Sequence, residues 1–220
     1  MLKDRLLKIL PAHANCFTRI KSSFLYVRDM KRINGGRATI DGLTKSEVAA
    51  VELYNPQIPL YNIDFDGFPD NAFPLSKGRF EKQCECVMFP EDADSDEWVL
   101  FIETKYTENL NTAKDPANQY PQIMVTQIKK TVKYFRDKGV LAPDKVVYAI
   151  ISFPTITEGY DSWAFPVRYN DGTTETIEDI WAKDKIHIRA TNCAILKNKK
   201  RILLGQKWRI MNKYGCSPNV

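Results

Sequence analysis

Between residues 98 and 154 the chain reads strand, helix, strand, and this order constrains the fold more than any other stretch. "EWVLFIETKY" is apolar enough to lie centrally in a sheet. In "QYPQIMVTQIKKTVKYFRDKG", Ile123, Gln127, Thr131 and Tyr134 recur at helical spacing, and Gly139 closes the helix. "KVVYAIISFP" is a short, continuously apolar run of the buried type. A helix joining two strands implies a crossover, and a crossover makes the two strands parallel.

The segments before it read differently. "IPLYNIDFDG" is a strand ending in an Asp-Gly turn, and "FPDNAFPLSKG" is a loop with two prolines. "RFEKQCECVMF" alternates as a strand, and the polar "PEDADSDE" turns it back into the central strand. In "LTKSEVAAVELYNP", Thr44 and Glu47 form a capping box for a helix of about ten residues that ends before Pro56. Residues 2–33 read as mostly helical with Pro11 as an interruption, and "IHIRATNCAILKNKKRILLG" as a hairpin turning at Asn198. The expected class is α/β (α+β), a mixed central sheet with helices packed on its faces.

At 220 residues, 44% hydrophobic and 27% charged, the composition is that of an ordinary globular chain. One domain over residues 1–220 is expected, with its core at 43–154 and a basic extension at 183–216. No apolar run approaches the ~20 residues of a membrane span. "MLKDRLLKILPAHAN" reads as a short amphipathic helix ended by Pro11 and not as a signal peptide, so a cytoplasmic protein without membrane contact is expected. The five cysteines are irregularly spaced, which argues against a disulfide framework. Cys84 and Cys86, with His13 and Cys16, fit no zinc-finger spacing, and on one strand face the two thiols pack as small apolar groups. Residues 183–213 hold ten basic residues against Asp184 alone, a net +9 in a chain of +5. A basic end on a mildly acidic body suggests a polyanion partner.

Alternation along the central strand puts Val99, Phe101, Glu103 and Lys105 on one face. Gln83, Glu85 and Val87 share a face of the preceding strand. If the two strands pair as a hairpin, Glu85 approaches Glu103, since cross-strand partners sit ~5 Å apart. Two carboxylates that close repel, and a divalent cation relieves the repulsion. Few hard oxygen ligands with water completing the shell suit Mg²⁺. Lys105 then stands at the edge of the site, placed to orient a water or offset charge on a phosphate. This arrangement suits metal-assisted phosphodiester hydrolysis. Ser and Cys nucleophiles lack an identifiable base.

A carboxylate on one strand, Glu-x-Lys on the next, then a helix and an apolar strand resembles the PD-(D/E)XK nuclease superfamily. The resemblance covers about residues 43–154 and rests on "CECV" and "IETK". It implies a restriction-endonuclease-like αβββαβ core, with Glu85 and Glu103 as metal ligands and Lys105 beside them. It also implies Gln127 on the following helix and Glu52 on a helix before the sheet as site residues. Position 85 is Glu where the family usually has Asp. Asp64 and Asp66 are reserves for the acidic role, and Pro69-Asp70 falls in a loop. The implied function is a Mg²⁺-dependent (Mn²⁺-supported) nuclease acting on DNA, of restriction or defence type, plausibly a homodimer. Lys197, Lys199, Lys200, Arg201, Lys207 and Arg209 would contact nucleic acid. The alternative is a nuclease-fold protein that binds nucleic acid or a protein partner without cutting.

Overall fold

The structure, a computed structural model, describes residues 1–29, 37–42, 51–54, 62–91, 98–105, 115–154, 167–169, 171–193, 201–203, 210–212 and 215–216. The first half contains α1 (Leu2–Ile9), a 3-10 turn (Pro11–Asn15), β1 (Phe17–Ile20), β2 (Phe24–Asp29), β3 (Ala38–Asp41), β4 (Val51–Tyr54), β5 (Ile63–Gly67), β6 (Cys86–Pro90) and β7 (Leu100–Thr104). The second half contains α2 (Gln122–Asp137), β8 (Val147–Pro154), β9 (Val167–Arg168), β10 (Thr174–Glu175), α3 (Ile177–Asp184), β11 (Ile186–Cys193), β12 (Arg201–Leu203), β13 (Ile210–Asn212) and β14 (Gly215–Cys216).

The central sheet has six strands in the order β1-β5-β6-β7-β8-β11. β1, β5, β6 and β7 pair antiparallel. β7, β8 and β11 are parallel. The crossover through α2 therefore delivers the parallel pair that the strand–helix–strand order implies. Gly139 (φ 71°) ends α2, with Val140 N–H on Phe135 O at 2.8 Å and Gly139 N–H on Arg136 O at 3.0 Å. These two bonds satisfy carbonyls that the helix end leaves open.

Among the described residues, helices cover one face of this sheet. Val87, Phe89, Val99, Phe101, Ala149 and Ile151 pack under α1, α2 and α3. The other face, with Cys86, Met88, Leu100, Ile102 and Ile150, packs on Leu25, Val27, Ile40, Val51 and Leu53 of a second sheet. That sheet runs β14-β13-β12-β4-β2-β3. β7 is buried along its whole length, which accounts for its nearly continuous apolar run.

Several expectations are corrected. Residues 17–20 and 24–29 are strands, so the helical stretch near the N-terminus is limited to α1 and the 3-10 turn that ends at Asn15. "VELY" is strand β4, where a helix was expected, and residues 43–50 with the Thr44 capping box lie outside the described residues. Partners distant in sequence override local propensity in both places. Gly67 is no turn residue, because it pairs with Cys86 inside the ladder. β11 pairs with β8, whereas β12 pairs with β4 in the other sheet, so these two strands do not pair as the expected hairpin, and Asn198 lies outside the described residues. Cys84 and Cys86 do not share a face. Cys84 packs under the helices and Cys86 between the sheets, because the chain bends at Glu85. Among the described residues no group of three or more His, Cys, Asp or Glu is placed to hold a metal ion, and none of the described helices is long and apolar enough to cross a membrane.

The two sheets approach closely at Gly67. A Cβ there would lie 2.1 Å from Ala38 O, a backbone atom that cannot swing away. Gly67→Ala is expected to destabilise the fold by about 1–3 kcal/mol through overpacking, measured by urea unfolding. A cost near zero would show that β3 shifts freely.

Candidate active site at the paired ends of β6 and β7

Cys86 pairs with Ile102, and Glu85 donates its N–H to Ile102 O at 3.0 Å. The register thus sets Glu85 across from Glu103. Val87 and Phe101, their in-phase neighbours, belong to the helix-side cluster. Glu85 is 1% exposed and Glu103 0%, two carboxylates inside the protein. Lys105 answers both, with Nζ 2.6 Å from Glu103 Oε1 and 3.4 Å from Glu85 Oε1. Its backbone is fixed by a bond to Ser152 O at 2.9 Å. Burial of the ammonium opposes its charge, but Glu103 and then Glu85 outweigh burial and hold Lys105 well above the ordinary lysine range.

Gln127 lies on α2 and acts on the strand before Glu85. Its Nε2 donates to Gln83 O at 2.7 Å. One turn on, Thr131 Oγ accepts Cys84 N–H at 2.9 Å. Regular pairing of β6 begins only at Cys86, so residues 83 and 84 need these side chains to satisfy their backbone. Gln127 Oε1 is buried and has no hydrogen-bond partner among the described residues. Glu52 stands on β4, opposite Tyr26 and Arg201 in the second sheet. Lys197, Lys199, Lys200, Lys207 and Arg209 lie outside the described residues, and Arg201 begins β12. Pro69 and Asp70 lie in the expected loop.

The acidic reserves are already engaged. Arg19 grips Asp64 through Nε at 2.9 Å and Nη2 at 3.0 Å, with Lys3 at 3.6 Å. Asp66 meets His13 Nδ1 at 2.7 Å, both of them buried. Burial raises the Asp66 pKa, while His13 and Arg37 pull it down without cancelling the rise. The sequence gives no hint of this pair, because fifty-three positions separate its members. Tyr120 is a second addition. It precedes α2, and burial raises its phenol pKa, with Lys105 pulling down and Glu103 pushing up. It therefore stands within electrostatic reach of both. A Tyr-Pro at the helix entry was the only available signal.

Comparison with protein-family models, with curated proteins and with solved structures gives no match for this chain.

Proposed function

We propose that the chain is a Mg²⁺-dependent nuclease that hydrolyses phosphodiester bonds in DNA. The observation that carries this is the burial of Glu85 and Glu103 side by side with Lys105 between them. Burying two like charges is costly, and a fold that needed only stability would fill those positions with apolar residues. The β5–β6–β7–α2–β8 order supports a restriction-endonuclease-like core within the mixed α+β fold.

The donor set fits a hard cation that takes one or two carboxylates and completes its shell with water and phosphate oxygens. Glu85 and Glu103 would hold it. The ion would supply charge stabilisation at the phosphoryl group and a more acidic water. Lys105 neutralises the carboxylates in the metal-free site, and beside a bound ion it would offer the phosphate a fixed positive charge. Gln127 holds Gln83, and through it the turn that presents Glu85.

Plasmid and single-stranded DNA are expected to be cleaved with Mg²⁺ or Mn²⁺ and left intact in EDTA. Glu103→Gln and Glu85→Gln are expected to slow cleavage at least about 1,000-fold. Cleavage that persists in EDTA, or survives Glu103→Gln, defeats the mechanism. DNA binding without cleavage in any metal points to a nuclease fold that only binds.

A further inference from the structure

Between β5 and β6 the chain leaves the body as a short hairpin. Phe73 anchors its base, stacked on Tyr134 with ring centroids 4.9 Å apart and edge-on to Phe68 at the same separation. Gln83 clamps the base from the other strand, accepting Ala72 N–H at 2.7 Å and donating to Pro69 O at 2.6 Å. Pro74 bridges to Phe80, and Leu75 N–H bonds Arg79 O at 2.9 Å. Lys77 and Gly78 both take positive φ (54° and 71°) and turn the chain back.

Three properties set this hairpin apart. Leu75 at 50% and Phe80 at 45% are, with Met1, the only exposed large apolar side chains among the described residues. The pairing puts them on opposite faces of the blade, Leu75 across from Arg79 and Phe80 across from Pro74. Cations dominate its charge: Lys77, Arg79 and Lys82 are exposed, and Glu81 is met by Lys130 at 3.7 Å. Lastly, Glu85 lies five positions after Phe80, so the Cα of Phe80 stands within ~18 Å of that of the buried Glu85. A hairpin serving only as a connection would not hold two apolar side chains in water between cations.

We propose that residues 74–82 form a nucleic-acid-binding blade. Lys77, Arg79 and Lys82 contact phosphates, and Leu75 and Phe80 pack against bases. Cations give affinity without sequence preference. Apolar side chains inserted at a base step, or stacked on an unpaired base, add an attraction that a purely ionic patch lacks. The choice of nucleic acid among polyanions rests on the nuclease reading, whereas the surface itself does not. An acidic protein would also match the charge, but it has no stacked planar bases to receive Phe80.

The test is fluorescence anisotropy with a labelled DNA duplex and its single strand, in EDTA so that no cleavage intervenes. The triple variant K77Q/R79Q/K82Q is expected to bind at least about tenfold more weakly. On duplex, its slope of log K against log salt should flatten by about 0.9 for each phosphate that is no longer neutralised. The double variant L75S/F80S is expected to weaken single-strand binding at least about fivefold with the salt slope unchanged. All five positions are exposed, and thermal melting checks that folding is kept. Unchanged affinity in either variant overturns the proposal, as does an acidic polypeptide that displaces DNA as well as unlabelled DNA does. Hairpin-dependent binding without cleavage in Mg²⁺ sinks only the nuclease reading. Cleavage with hairpin-independent binding sinks only the blade.

Discussion

Lys105→Met is expected to destabilise the metal-free protein by about 3–5 kcal/mol and to abolish cleavage, the largest effect of any single substitution at the site. Lys105 is the cation shared by two carboxylates that are at most 1% exposed. Its own side chain is 26% exposed, so solvent screens the pair only weakly. Methionine keeps most of the stem and removes the charge, so that Glu85 and Glu103 lose the cation they share. Excess Mg²⁺ should then stabilise the variant more than the wild type, because the Lys105 ammonium no longer competes for the carboxylates. Urea unfolding in EDTA and in Mg²⁺ measures both effects. A cost below about 1 kcal/mol, or equal Mg²⁺ effects, contradicts the shared-cation arrangement. The pH dependence has a definite sign. The pKa of Lys105 is raised on folding, so its stabilisation is fully present below the ordinary lysine pKa of about 10.4 and is lost as pH rises through the folded value. The advantage of wild type over Lys105→Met should stay level from neutral pH to about 10 and shrink above it.

Asp66→Ala is expected to cost about 3 kcal/mol through the orphaned imidazole of His13. His13 is 3% exposed, packs against Phe68 and Phe73, and has no bond at Nε2 among the described residues. Losing the 2.7 Å partner at Nδ1 leaves both ring nitrogens unanswered. The double change His13→Phe with Asp66→Leu removes both polar groups and should recover most of the loss. Asp66→Asn isolates the proton. Folding raises the Asp66 pKa, so its contribution is fully present below about pH 4 and is lost as pH rises through the folded value. The stability gap between wild type and Asp66→Asn should therefore narrow as pH rises above about 4. A gap that widens would mean that the protein prefers the ionised carboxylate.

Legibility in the sequence followed the range of the interactions. The β7–α2–β8 unit was readable because its pattern is local: helical periodicity, a terminal glycine and two apolar runs. The juxtaposition of Glu85 and Glu103 was readable too, since adjacent strands and a polar turn leave little freedom of register. The N-terminal strands were not. β1 exists because it pairs with β5, with Phe17 opposite Asp66, and nothing in "FTRI" announces that partner. β4 was masked by residues of good helical propensity, and it becomes a strand because Leu53 fits between two sheets. The bend that separates Cys84 from Cys86 depends on Gln127 and Thr131, more than forty positions away. The His13–Asp66 pair and the approach of Tyr120 to Lys105 are likewise products of tertiary packing.

Among the described residues, the side chains that answer β5 come from earlier in the chain: Lys3 and Arg19 for Asp64, His13 for Asp66. Arg19 and Asp64 are 45 residues apart. At ribosomal speed that gap is about 2–9 s, during which the basic segment has been made and its acidic strand has not. When β5 emerges, its two aspartates favour β1 on the edge away from β6, because unmatched inward charges deter edge pairing. The same charges that complicate the finished core thus act as a lock during synthesis, accepting β1 and rejecting competitors.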